Sequence, residues 1–218
     1  MIDHYDWAGG REAMLRFGPD SGPVVVAAMP LLEEWNRTRA FVVTLLRMLA
    51  ERGIASVLPD LPGHGESLAP LADLDRLQDA MAAAARSVGR PTVALGVRSG
   101  ALLDGRASHC ARWHLAPTSG ADLCRDLGRV SRAGGGRSEL EGPVTIAGTD
   151  LSASFLSSLI GAEPANDARV IRLATDPRSA DRHVEGVALW RRAEPGNDAG
   201  LAVVLADDIR GWIDTCGG

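Results

Sequence analysis

The chain has 218 residues, of which 45% are hydrophobic and 23% charged, as is typical of a globular protein with a sizeable core. Its net charge of -5 is spread without long runs, so neither a nucleic-acid surface nor a basic membrane patch is indicated. The sequence holds no Lys, which excludes Schiff-base and lysine-nucleophile chemistry. We expect one domain that covers residues 1–218.

The cysteines and the first ten residues indicate the cellular compartment in which the protein resides. Cys110, Cys124 and Cys216 are widely spaced and form no C-x-x-C pair, a pattern that favours a reducing compartment and argues against a zinc site. The opening "MIDHYDWAGG" lacks the basic stretch and apolar run of a signal peptide. No window approaches the ~18 apolar residues of a membrane span. We therefore expect a cytoplasmic protein with no membrane span and no metal or cofactor.

Strand and helix patterns alternate along the first half of the chain. "REAMLRFGP" predicts an early strand that ends in a turn at "DSG", and the Val-rich "PVVVAAMP" (23–30) predicts a strand covered on both faces. Residues 36–53 carry an apolar stripe at helical spacing and end at a glycine, so they predict a helix. The same reasoning predicts a strand at 54–60, a helix at 71–89 and a strand at 92–97.

The second half continues the alternation. A short helix, a strand at 112–118 and a polar segment with the flexible "RAGGGR" (132–137) come first. A strand at 142–148, a helix at 151–160, strands at 169–175 and 184–192, and a helix that ends near Ile213 follow. This order predicts an α/β fold with a mostly parallel sheet flanked by helices. Only about two dozen residues separate the strands at 112–118 and 142–148, so we expect little or no cap.

Four of the predicted strand ends carry unusual residues, and ligands of such sheets bind at the carboxyl ends of the strands. They are "LLEEWNRTR" with Leu31, Glu33, Glu34, Asn36 and Arg39, "LPDLPGHGES" with His64, "GVRSGALL" with Arg98 and Ser99, and "RRAEPGND" with Asn197 and Asp198. A plain helix start would also account for the first of them, because acids favour the first turn and Asn caps helices.

Together these segments resemble the α/β-hydrolase superfamily in their chain order. More narrowly, "PLLEEWNRTR", "GVRSGALL" and "EPGNDAGLAVVLADDIRGWI" resemble the second hydrolase family associated with bacterial exosortase systems, over roughly residues 23–213. Members of that family show a proline followed by a Glu-Glu-x-Asn-x-Ser-Arg stretch. The resemblance implies the hydrolase fold and a link to exopolysaccharide and protein-sorting machinery, and it supplies no substrate.

The residues do not match a Ser-His-Asp triad. Aligning "GVRSG" to G-x-S-x-G puts Arg98 at the nucleophile position, and a guanidinium stays protonated and cannot attack a carbonyl. The turn expected to hold the base reads "PGND" (195–198) and has no histidine. A one-residue shift would use Ser99 with His183 as the base and Asp176 or Asp181 as the acid. Ser99 would then begin a helix, where we expect its hydroxyl to cap backbone N–H groups.

Two functions remain open from these residues. The first is a hydrolase-fold protein with a degenerate triad, which binds a small acyl, sugar or carrier-linked ligand and has weak or no serine-esterase activity. Its expected ligand-binding residues are Leu31, Asn36, Arg39, Arg98, Asn197 and Asp198. The alternative is a true ester, thioester or amide hydrolase that uses Glu33 or Glu34 with His64, or a shifted Ser99. In either case we expect Arg98 to be buried and bonded to Glu33, Glu34 or Asp198.

Overall fold

A computed structural model describes residues 1–136, 140 and 142–216 of the chain. Eight strands form one sheet in the order β1-β2-β4-β3-β5-β6-β9-β10, and within it only β2 runs opposite to the other strands. The strands are β1 Ile2–Trp7, β2 Gly10–Phe17, β3 Val24–Ala28, β4 Ala55–Pro59, β5 Thr92–Val97, β6 Ala111–Leu115, β9 Arg169–Leu173 and β10 Arg182–Val184. A separate antiparallel pair is formed by β7 Val144–Ile146 and β8 Thr149–Leu151.

Five helices cover the sheet. They are α1 Glu33–Glu51, α2 Leu74–Ser87, α3 Gly120–Ala133, α4 Ala153–Leu159 and α5 Ala199–Cys216. Helices α1 and α5 pack on one face of the sheet, and α2, α3 and α4 pack on the other. The central strand β3 is buried on both sides because alternate residues join opposite cores: Val24 and Val26 face α2, whereas Val25 and Ala27 face α1.

The predicted α/β architecture with its mostly parallel sheet is confirmed. The strand at 92–97 is found with the predicted bounds, and the helix predicted from residue 36 begins three residues earlier, at Glu33. Three elements, β1, β8 and α3, were not predicted. Strand β1 reads "IDHYDW", which is too polar to stand out and lies at the sheet edge, and α3 exposes most of its charged residues and buries only a short stripe.

Two predicted strands differ from the structure. The segment at 142–148 contains the short strand β7, which pairs with β8 instead of joining the main sheet, and Ala147 and Gly148, both with positive φ (49° and 82°), form the turn between them. The segment at 184–192 contributes only its first residue to β10, which is Arg182–Val184, and residues Leu189–Arg191 form a 3-10 turn instead. Leu189 and Trp190 are consecutive and both buried, a pattern that the alternation of a half-exposed strand does not allow.

Between β6 and β9 the described chain forms α3, the hairpin and α4, and no separate lid domain. Arg137, the last residue of the predicted Gly-rich loop, lies outside the described residues. Among the described helices, none has the length and apolar character needed to cross a bilayer.

Candidate functional site

The chain turns sharply at the carboxyl end of β5. Arg98 follows the last strand residue with a φ of 55°, which is rare for a residue with a side chain, and it opens a 3-10 turn. The turn needs two glycines, because a Cβ on Gly96 would lie 2.7 Å from Cα of Ala101 and one on Gly100 would collide with the carbonyls of Ala28 and Met29. The predicted strand-to-helix turn is therefore confirmed.

The side chain of Arg98 is buried in a network of polar and aromatic contacts. Its Nε donates to Oε2 of Glu34 at 3.1 Å, and its Nη2 donates to Oε1 of the same carboxylate at 3.2 Å. Nη1 donates to the carbonyl of Ala116 at 3.2 Å. The guanidinium lies 5.0 Å from the ring centroid of Trp190, and Nη2 lies 3.7 Å from Oδ2 of Asp126. The expectation that Arg98 is buried and bonded to one of three acids is confirmed, and that acid is Glu34.

The carboxylate of Glu34 is poorly placed to act as a general base, because both of its oxygens are bonded to Arg98. Burial raises the pKa of Glu34, and the charge and hydrogen bonds of Arg98 oppose that rise. Both carboxylate oxygens accept a guanidinium N–H in a bidentate pair, which fixes their orientation toward Arg98. Glu33, its neighbour in the first turn of α1, pairs instead with Arg37 at 2.7 Å. The two adjacent acids thus serve different partners.

Ser99 is fully buried, and its hydroxyl is already engaged. The Oγ atom accepts the backbone N–H of Leu31 at 2.9 Å. The sequence led us to expect that this hydroxyl would cap N–H groups of the helix that it begins. It bonds instead across to the loop that follows β3. This contact ties the turn after β5 to the start of α1.

His64 is held by two backbone groups. Its Nε2 accepts the N–H of Leu32 at 3.1 Å, which leaves Nδ1 to donate to the carbonyl of Pro62 at 3.1 Å. Burial lowers the pKa of His64, although the bond to Pro62 opposes that shift. Among the described contacts, none joins the imidazole to Glu33 or Glu34. The geometry therefore does not bring together the acid–histidine pair that the alternative function needs.

The residues of the shifted triad are also dispersed. Asp176 accepts hydrogen bonds from Arg178, which lower its pKa well below the ordinary range. His183 is exposed, and its Nε2 lies 3.1 Å from the carbonyls of Asp176 and Arg178. Asp181 accepts a backbone N–H of β9 at 2.6 Å. None of these side chains bonds to Ser99 in the described structure.

Two residues of α1 that we expected to bind ligand lie away from Arg98. Asn36 is exposed within α1, three residues after the helix begins, so it is not the N-cap. Arg39 donates to Asp60 at 3.3 Å and lies 4.4 Å from the ring of Trp35. Neither side chain is among the described partners of Arg98, because successive helical residues point in different directions, and their role in ligand binding stays a prediction.

The "PGND" turn does not reach Arg98 either. Asn197 is exposed and donates to Thr44 at 3.0 Å, and Asp198 accepts the N–H of Leu201 at 2.9 Å, which caps α5. Since β10 ends at residue 184, the connection to α5 is longer than expected. Trp190, from the middle of this connection, is the residue that contacts Arg98.

A cavity of about 220 Å³ lies beside the Arg98–Glu34 pair. Its lining is mostly apolar, and its charged members form ion pairs such as Glu33–Arg37 and Asp126–Arg129. The apolar lining consists of Leu31, Leu32, Leu123, Leu127, Val130, Ile146, Leu151 and Trp190, and the polar lining of Glu33, Glu34, Arg37, Asp126, Arg129 and Thr149. Eight of the 14 lining residues come from α3 and the β7–β8 hairpin, and sequence reasoning missed α3, β8 and the pairing of β7 with β8. The helix-start pattern of Ser119 and Asp122 was the available signal for α3.

No protein-family model matches the chain, and no curated protein matches its sequence. Its structure is similar to that of an assumed hydrolase from Agrobacterium vitis S4, with a TM-score of 0.59 and 12% identity over 98% of each chain. It is also similar to Est1E from Butyrivibrio proteoclasticus, solved with ferulic acid, with a TM-score of 0.55 and 14% identity over 78% of this chain and 77% of that one.

Epoxide hydrolases match over a smaller region. Epoxide hydrolase A from Mycobacterium thermoresistibile has a TM-score of 0.45 and 23% identity, over 53% of this chain and 38% of its own. The chain thus spans well under half the length of these enzymes. The sheet order and the two longer matches show that the chain has the α/β-hydrolase fold.

Proposed function

We propose that this hydrolase-fold protein binds a small acyl ligand, free or carrier-linked, in the cavity beside Glu34 and does not turn it over by serine chemistry. The observation that carries the proposal is Arg98, which has a φ of 55° after β5 and a bidentate bond to Glu34. In α/β-hydrolases a strained residue at this turn is the nucleophile. A guanidinium in that place offers no lone pair for attack.

The neighbour of Arg98 supports the same proposal. The histidine base of an α/β-hydrolase comes late in the chain, after the nucleophile and the acid. Here the side chain that comes from beyond the last strand and meets Arg98 is Trp190, at 5.0 Å from the ring centroid. A cation over an indole ring is attractive, so the pair stabilises the pocket wall. An indole does not accept a proton at neutral pH, and the contact therefore favours binding over general-base catalysis.

The backbone N–H groups beside the turn support it as well. Hydrolases of this fold take one oxyanion donor from the loop after the β3 strand, and that donor must be free to meet the developing charge. In this chain Leu31 N–H is bonded to Ser99 and Leu32 N–H to His64. A substrate oxyanion would have to displace one of these internal acceptors. The pocket is thus better suited to holding a ligand than to stabilising a tetrahedral intermediate.

The lining of the cavity favours an acyl chain over a sugar. Leucine, isoleucine, valine and tryptophan side chains are eight of the 14 that line the wall, and such surface favours apolar ligands. The charged side chains at its edge are paired with one another, so they have little capacity left to satisfy many hydroxyl groups. The resemblance to exosortase-associated proteins extends this proposal. We infer that the protein binds its acyl ligand in the cytoplasm and acts together with exopolysaccharide or protein-sorting machinery.

Binding of octanoic acid and octanoyl-pantetheine, measured by isothermal titration calorimetry, tests the proposal. Thr149 lines the cavity on β8, so Thr149→Trp should fill it and weaken binding about tenfold, the equivalent of ~1.4 kcal/mol. Thr145 is exposed on the neighbouring strand and does not line the cavity, so Thr145→Trp is the matched control and should bind as the wild type does. Equal weakening by both substitutions, or no binding of either ligand, would count against the proposal.

A further inference from the structure

A second cavity lies at the opposite, amino end of the sheet. Its volume is about 430 Å³, and it is bounded by the end of α2, the start of β5 and the loop before β6. Three arginines line it, Arg86, Arg90 and Arg106, and no carboxylate does. We propose that this cavity binds the phosphate group of a small phosphorylated molecule. The proposal is independent of the acyl-binding site, which lies at the carboxyl ends of the strands.

Arg90 is the residue that points to an anion. Its Nε and Nη1 atoms are buried, and neither has a hydrogen-bond partner in the described protein. Buried guanidinium N–H groups without an acceptor are costly, so native structures almost always provide one. The two donors point to different sides of the guanidinium, because Nη1 lies on the Cδ side and the Nε–H points away from it, so each needs its own acceptor. A phosphate oxygen in the cavity would supply one acceptor that the described protein does not.

The end of α2 does not explain the arginines. Cations are favoured near the carboxyl end of a helix, and Arg86 lies in the last turn of α2. Arg90 lies beyond the helix, however, and its buried nitrogens make no bond to the helix carbonyls. The electrostatics of the helix end therefore account for the position of Arg86 and not for the buried donors of Arg90.

The rest of the cavity suits a phosphate. Arg106 is held by Asp75 at 2.7 Å and Asp79 at 2.8 Å, two acids of α2 that fix its orientation without lining the cavity. Ser108 also lines the wall, and the Thr92 hydroxyl beside it is already bonded to His109. Positively charged forks together with hydroxyls are the groups that proteins use for phosphate. The volume leaves room for a substituent on the phosphate.

Titration with inorganic phosphate at low ionic strength, followed by calorimetry, tests the site. We expect saturable binding to the wild type and at least about tenfold weaker binding to Arg90→Ala, because charged hydrogen bonds are lost. Arg47→Ala removes the same charge from an exposed position on α1 and should bind phosphate as the wild type does. Absence of saturable binding, or equal weakening in Arg47→Ala, would overturn the proposal.

Thermal unfolding gives a second readout that does not depend on calorimetric heat. Arg90→Ala removes buried donors that lack partners, so without phosphate its Tm should equal or exceed that of the wild type. Added phosphate should raise the Tm of the wild type and leave that of Arg90→Ala unchanged. A lower Tm for Arg90→Ala without phosphate would show that the guanidinium has a structural role, and this would overturn the proposal.

Vesicle binding distinguishes the phosphate of a lipid headgroup from that of a small soluble molecule. Sedimentation with phosphatidylcholine vesicles, with and without phosphatidic acid, asks whether a lipid headgroup enters the cavity. We expect no binding that depends on both phosphatidic acid and Arg90, since the cavity is set between α2 and the sheet. If the wild type binds vesicles that contain phosphatidic acid and Arg90→Ala does not, the ligand is a lipid headgroup. That result would overturn the proposal of a small phosphorylated molecule.

Discussion

Arg98 and Glu34 form a bidentate ion pair that joins the turn after β5 to the first turn of α1. The two hydrogen bonds measure 3.1 and 3.2 Å, and the side chain of Arg98 is 9% exposed and that of Glu34 18%. A buried pair of this kind contributes little net stability compared with apolar residues, but the loss of one partner strands the other charge.

Arg98→Ala should lower the free energy of unfolding by about 3–5 kcal/mol, because Glu34 is left buried and unpaired. Urea denaturation measures the change. Arg11 forms a long, exposed pair with Asp6, and Arg11→Ala should therefore cost less than about 1 kcal/mol. The double variant Arg98→Met/Glu34→Leu should recover most of the loss, since neither charge remains. A cost for Arg98→Ala no larger than that for Arg11→Ala would show that the pair is solvated.

Gly100→Ala tests the tightness of the turn. A Cβ at this position would lie 2.6 Å from the carbonyl oxygen of Met29 and closer still to that of Ala28, and backbone atoms cannot move away cheaply. We expect a loss of about 1–3 kcal/mol in the free energy of unfolding. A Cβ at Gly105 would meet only Nε2 of Gln78, at 4.0 Å, so Gly105→Ala should be neutral or stabilising by up to about 1 kcal/mol. Equal effects of the two substitutions would contradict the close approach of β3 and the turn.

His64 should make stability depend on pH. Burial lowers the folded-state pKa of His64 below its unfolded value of about 6.5. The folded protein then binds fewer protons, so the stabilisation is complete above pH ~6.5 and is lost as the pH falls toward the folded pKa, by up to about 1.4 kcal/mol per unit.

Urea denaturation between pH 5 and 8 in the wild type and in His64→Gln isolates this contribution, because the other histidines are common to both proteins. The difference between the two curves should grow as the pH falls below ~6.5, with the wild type losing more. Parallel curves would mean that His64 is protonated as easily in the folded as in the unfolded protein.

The sequence predicted the central sheet well because its strands are continuous apolar runs bounded by turn residues. It also narrowed the candidate ion-pair partners of Arg98 to three acids, because the carboxyl ends of parallel strands meet at one edge of the sheet. It could not choose among the three, since Glu33 and Glu34 differ only in the direction that each takes from α1, and the position of Asp198 depends on where β10 ends. Leu189 and Trp190 were interpreted as part of that strand, and this error moved the "PGND" turn toward the site and hid Trp190. The polar surface of α3 and the short hairpin gave weak signals, so the outer wall of the cavity was also missed.

The central claim is that Arg98 replaces the nucleophile of a hydrolase site that also lacks a base, and its most direct test is a comparison of the wild type with Arg98→Ser. Both proteins are incubated with a fluorophosphonate and with short-chain nitrophenyl esters, and labelled peptides are read by mass spectrometry. We predict no label on Ser99 in either protein and no ester turnover by Arg98→Ser, because the ring that contacts residue 98 is that of Trp190 and His64 is held by Leu32 and Pro62. Stoichiometric labelling of Ser99, or brisk turnover by a folded Arg98→Ser variant, would contradict the account.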